Sequence, residues 1–96
     1  MSVYMVAQIS VTDPDVYRRY QARFMEVLSR YEGQLLAYDK EPGVEEGSWD
    51  HERVVLMSFP DNAAFRRWAD SPEYQEIAVD RKAGSTGVVL LVRGLG

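Results

Sequence analysis

His51 is the one histidine among 96 residues, and it lies in a polar stretch, Ser48-Trp49-Asp50-His51-Glu52, before an apolar run. An imidazole that titrates near neutrality can act as a general base. Equally, a histidine in such a loop is solvated or caps a turn. Asp39 and Glu41 stand two residues apart at the end of a strand-like segment. If the strand continues through both, their carboxylates share one face, and two close carboxylates hold their pKa values apart. The competing reading is a solvated strand end beside the acidic Glu45-Glu46. The catalytic candidates are therefore Asp39, Glu41 and His51.

Arg53 opens the next apolar run and can hold a carboxylate through its planar fork, as can Arg81 near the end of the last helical segment. Each has a plain alternative. Arg53 would serve as well in an ion pair with Asp39 or Glu41, and Arg81 as a cation complementing a helix C-terminus. The aromatic residues are the richest signal: Tyr4, Tyr17, Tyr20, Tyr38, Trp49, Trp68 and Tyr74 all fall on expected buried or half-buried faces. Their polar tips can orient a flat ligand in an apolar cleft, or they can simply fill a core. Trp68 and Tyr74, flanking a helix break, read as packing. Tyr4 and Gln8 share the less apolar face of the first strand. The ligand-binding candidates are Tyr4, Gln8, Tyr38, Trp49 and Arg53.

The chain has no cysteine, which excludes disulfides, thiolate nucleophiles and thiolate metal sites. With a single histidine and no HExxH-type pattern, no metal site is expected, and no cofactor fingerprint is present: nucleophile elbows, phosphate loops and dinucleotide motifs are all missing. Gly84-Ser85-Thr86-Gly87 is expected as a short turn, and as a phosphate loop it would need a helix after it. The net charge is −4 with both signs scattered, unlike a nucleic-acid surface. Met1 leads directly into a strand pattern without a basic region and apolar run, so the expected location is cytoplasmic, with no membrane partner.

The elements that must position these residues follow from periodicity. Val3, Met5, Ala7, Ile9 and Val11 alternate with Tyr4, Val6, Gln8 and Ser10, a strand with two different faces. Asp13 can cap a helix in which Pro14 is the first residue, and Tyr17, Tyr20, Phe24, Val27, Leu28 and Tyr31 form its apolar stripe. Gly33 is expected to end that helix in a left-handed cap. Gln34 to Lys40 reads as a second strand, followed by a turn-rich acidic loop through Ser48, and Arg53 to Phe59 as a third strand. A second helix begins at Pro60-Asp61, breaks and restarts at Ser71-Pro72-Glu73, and closes at Gly84; Gly87 to Arg93 is the fourth strand.

The order strand, helix, strand, strand, helix, strand makes two βαβ halves with right-handed crossovers. The expectation is one α+β domain over residues 1–96, a ferredoxin-like βαββαβ fold. It would carry a four-stranded antiparallel sheet of order 4-1-3-2 and its helices on one face. Val54-Val55-Leu56-Met57 and Val88-Val89-Leu90-Leu91-Val92 place apolar side chains on both faces of that sheet. Two helices cover only one, so the other needs a partner, most simply a second copy on a two-fold axis.

Several segments resemble a known family: Val11-Thr12-Asp13-Pro14, Glu46-Gly47-Ser48-Trp49, Arg53-Val54-Val55-Leu56, Phe59-Pro60, Ala64-Phe65-Arg66-Arg67-Trp68 and Ser71-Pro72-Glu73-Tyr74-Gln75. Together they are similar to family 1330 of the domains of unknown function, in the dimeric α/β-barrel superfamily. The resemblance implies a ferredoxin-like fold and a dimer whose sheets pack face to face into a barrel. It implies no settled activity. The expectation for function is a homodimeric small-molecule-binding protein, extending to a cofactor-independent enzyme on a small organic acid or aromatic compound. The alternative is a non-catalytic dimeric structural or regulatory module, for which the interior would be filled.

Overall fold

Asp13, Asp61 and Ser71 set the three helix starts in a computed structural model that describes residues Met1–Gly96. Each side chain accepts a hydrogen bond from the backbone N–H three residues on, at Val16, Ala64 and Tyr74. These caps satisfy donors that a helix leaves free at its N-terminus. The resulting order is β1 (Val3–Val11), α1 (Pro14–Leu28), β2 (Gln34–Asp39), β3 (Arg53–Phe59), α2 (Asn62–Ala69), α3 (Pro72–Gly84) and β4 (Ser85–Arg93). The strands form one four-stranded antiparallel sheet in the order β2-β3-β1-β4, the ferredoxin-like topology expected.

Register decides which side chains meet. Val3, Met5, Ala7 and Ile9 of β1 are buried under the helices, opposite Phe59, Met57, Val55 and Arg53 of β3 and Arg93, Leu91, Val89 and Gly87 of β4. The alternate residues Tyr4, Val6, Gln8 and Ser10 share the open face with Leu56, Val88, Leu90 and Val92. Helices α1 and α3 run antiparallel on the covered face, joined by Arg19–Asp80 at 3.3 Å and Arg23–Glu76 at 3.5 Å. The short α2 puts Phe65 and Trp68 against Phe59, with ring centroids 5.3 and 5.4 Å away.

The structure differs from the sequence expectation at several boundaries. Helix α1 ends at Leu28 with Ser29 as a right-handed cap, so Gly33 is no left-handed terminator. It is glycine because a Cβ there would lie 2.6 Å from the Phe59 ring and 2.7 Å from Leu28. Strand β2 stops at Asp39 rather than Lys40, where the Asp39 carboxylate accepts from the Glu41 N–H at 2.9 Å and turns the chain. No turn separates α3 from β4: Ser85 already pairs with Val11. Gly84 makes that direct passage possible, since a Cβ on it would come within 2.7 Å of the Tyr17 backbone nitrogen.

One irregularity is invisible to periodicity. Leu35 pairs with Met57, but Ala37 pairs with Leu56, so Leu36 is an extra residue bulged out of β2. The bulge resets the alternation. Tyr38, opposite Val55, faces the helices, and Asp39, opposite Val54, faces the open side.

Candidate functional site

A cavity of about 370 Å³ lies between the sheet and the helices, within the size range of small-molecule sites. Its floor is the row Val55–Ala7–Val89, three small side chains brought level by the register of β3, β1 and β4. Larger side chains in that row would fill the space. The walls are aromatic: Tyr17, Tyr20 and Phe24 from α1, Trp68 from α2 and Tyr74 from α3. Trp68 and Tyr74 pack with ring centroids 4.1 Å apart, as their place around the helix break suggested, yet both also line the cavity.

Polar groups enter this apolar space at a few points. The hydroxyls of Tyr20 and Tyr74 are hydrogen-bonded at 3.0 Å. Burial, and then the neighbouring Tyr74, push the Tyr20 phenol well above its ordinary pKa. Burial likewise raises Tyr17, followed by the Tyr38 phenol, while the guanidinium groups of Arg53 and Arg81 pull it the other way. At neutral pH these phenols are therefore protonated hydrogen-bond donors, poorly suited to act as bases. At the cavity edge, Tyr38 Oη accepts from Arg53 Nη1 at 2.7 Å and from Gln21 Nε2 at 2.8 Å. Arg53 lies over the Tyr17 ring, 5.3 Å from its centre, and 6.0 Å from that of Tyr38.

The structure divides the sequence-derived candidates between two faces. Tyr38 lines the cavity and Arg53 stands against it. Tyr4 and Gln8 do not line it; they lie on the open face of the sheet. Trp49 and His51 gather beside them: Trp49 Nε1 donates to Gln8 Oε1 at 3.0 Å, and His51 Nδ1 is 3.1 Å from Ser10 Oγ. Asp39 is exposed on that open side, and Glu41 follows in the turn beyond the strand, so the two do not share a strand face. Arg53 does not pair with either carboxylate; its nearest acidic partner is Glu52 at 4.0 Å. Nowhere do three or more His, Asp or Glu side chains converge as a metal site would require.

Tyr17, Tyr20, Trp68, Tyr74 and Arg81 are brought together at the cavity; the sequence offered each a ligand role beside a plainer packing or helix-end role, and none reached the short list of site residues. The signal for Tyr17, Tyr20 and Phe24 was their spacing on one helical stripe, which core packing explains equally well.

The match to known proteins bears on the whole of this architecture. Residues 2–95 match the model of a family described as a domain of unknown function, DUF1330. The chain belongs to that family. No curated protein matches the sequence. Among solved structures, this family member is similar to SnoaB, a cofactor-independent oxygenase from Streptomyces nogalater, at 23% identity and TM-score 0.71, covering 99% of this chain and 94% of that one. It is similar to a protein of unknown function from Rhodopseudomonas palustris at 18% identity and TM-score 0.78, covering 99% and 83%. A dimeric ferredoxin-like protein of unknown function from Jannaschia sp. CCS1 matches at 16% identity and TM-score 0.73, covering 98% and 100%. At these identities the likeness shows the ferredoxin-like fold. No helix of the chain is long and apolar enough to cross a membrane.

Proposed function

We propose that this protein binds a small, largely apolar and flat molecule in the cavity between its helices and its sheet, and does so as a homodimer. The observation that carries the reading is the cavity itself, about 370 Å³ walled by aromatic rings. A module that acted only through its surface would be expected to fill that space, because interiors pack to crystal-like density. The homodimer is supported by the open face, where Val88, Leu90 and Val92 are each 44–46% exposed beside Val6 and Leu56. It is also supported by the dimeric state of ferredoxin-like neighbours such as the Jannaschia protein.

The enzymatic form of the reading is chemistry without a resident cofactor, as in the structural neighbour SnoaB, a cofactor-independent oxygenase. Binding is what the geometry supports best. Asp39, Glu41 and His51 stand outside the cavity, and burial holds the Tyr17 and Tyr20 phenols within it protonated. The exposure of Asp39 and Glu41 is what the non-catalytic reading expects of them.

Thermal unfolding at fixed protein concentration, against a library of small aromatic and alicyclic compounds, tests the reading. A ligand at a hundred times its dissociation constant adds about 2.7 kcal/mol, which raises the midpoint of a domain this size by roughly 10 °C or more. The shift should disappear in Ala7→Leu, which fills the floor row. No shift across the library, or one untouched by Ala7→Leu, would remove the cavity as a binding site.

A further inference from the structure

Two arginines and two phenols converge where the N-terminal end of α1 meets the C-terminal end of α3. Arg81 lines the cavity, its Nε is buried without a hydrogen-bond partner, and none of the chain's six salt bridges involves it. Arg53 donates from Nη1 to Tyr38 but has no close carboxylate. Its side chain is 15% exposed, its Nε is buried and unpartnered, and its one carboxylate neighbour, Glu52, is 4.0 Å away. Arg53 lies over the Tyr17 ring, 5.3 Å from its centre, and Tyr17 and Arg81 line the same cavity, so both positive charges border the Tyr17 end of it. Tyr38 Oη already accepts from Arg53 and Gln21, so its own proton is free to be donated.

This end of the cavity therefore offers donors and positive charge without a matching acceptor. Both arginines are half-buried, and an Nε shut off from solvent with no partner bears a desolvation cost that an incoming acceptor would offset. The single carboxylate among the lining residues, Asp70, is exposed at the α2–α3 break. On α3, Tyr74 and Arg81 are seven residues apart, about 10 Å along the helix axis, so Asp70 lies toward the far end. At that end the buried Trp68 Nε1 also lacks a partner.

Resting on the cavity reading above, we propose that the ligand is an aromatic carboxylate. Its carboxylate sits between Arg81 and Arg53 beside the Tyr17 hydroxyl, and its ring lies among Tyr20, Phe24 and Tyr74. A neutral acceptor across the ring, such as a carbonyl, meets Trp68 Nε1. The arginines and tyrosines act here as binding groups that select for the anion. No bond is made or broken in this step.

The test uses 4-acetylbenzoate and its primary amide, 4-acetylbenzamide, titrated calorimetrically at pH 7 into the full chain. The acid should bind at least tenfold more tightly than the amide. Arg81→Gln and Arg53→Gln should each weaken the acid by about tenfold or more, as expected for a lost charge-assisted hydrogen bond, and weaken the amide, whose carbonyl accepts only an ordinary hydrogen bond, by clearly less. Arg81→Lys keeps the charge without the fork and should fall between. Equal binding of acid and amide, or equal losses of both in Arg81→Gln, would overturn the carboxylate assignment and leave the cavity reading standing. Absence of binding by both probes would overturn the assignment, while the cavity reading would still be judged by the library and Ala7→Leu.

Discussion

Tyr20 on α1 and Tyr74 on α3 place their hydroxyls 3.0 Å apart inside the protein, where both residues are less than a tenth exposed. The pair closes one side of the aromatic cavity and joins the two long helices. Each phenol is the other's only protein hydrogen-bond partner.

That reciprocity predicts a non-additive mutant cycle. Tyr20→Phe or Tyr74→Phe alone leaves one buried hydroxyl without its partner, at a cost of about 1–2 kcal/mol. The double variant leaves none, so its loss should fall short of the sum by about 1 kcal/mol. Urea denaturation at one fixed protein concentration measures this. Strict additivity would mean the two hydroxyls do not interact.

The same burial predicts an alkaline limb in stability. Burial lifts the folded Tyr20 pKa well above the ordinary phenol value of 10.0, at which the unfolded chain gives up its proton. A raised folded pKa contributes stability that is fully present below about pH 10 and is lost as pH climbs toward the folded value. The slope attributable to Tyr20 is up to about 1.4 kcal/mol per pH unit, and Tyr17 adds in the same direction. Denaturation between pH 8 and 11 should show stability falling above pH 10, less steeply in Tyr20→Phe. An identical slope in that variant would sink the assignment.

Element order, the three caps and the buried stripes were legible in the sequence because each rests on local chemistry: Asp13 and Pro14, Asp61, Ser71 and Pro72, and period-two alternation in β1. The site was legible only in part. Tyr38 and Asp39 changed faces relative to simple alternation because Leu36 is an extra residue, and a bulge is set by pairing with β3, not by composition. Trp49 and His51 reached the open face through a loop whose path depends on Gln8 and Ser10, about forty residues earlier. Long-range contacts of that kind leave no spacing to read. The cavity was hidden for a related reason: it arises where Ala7, Val55 and Val89 fall in one row, and only register reveals a row.

The open face carries the last prediction. Leu90 sits opposite Val6, which in turn sits opposite Leu56, giving an apolar strip across β4, β1 and β3 on the side away from the helices. A second copy packed there would bury Leu90 against its own two-fold mate or that mate's neighbours. Leu90→Asp would then place an unpaired carboxylate from each subunit in a dry interface, at several kcal/mol each. The dissociation constant should rise by roughly a thousandfold or more, since each 1.4 kcal/mol is about tenfold. Because Leu90 lies outside the helix-covered core, the variant should keep its far-UV circular dichroism. Sedimentation equilibrium should find the parent protein near twice its 11.0 kDa chain mass and Leu90→Asp near the chain mass itself. A parent that sediments as a monomer, or a variant that stays dimeric, would move the interface off this face.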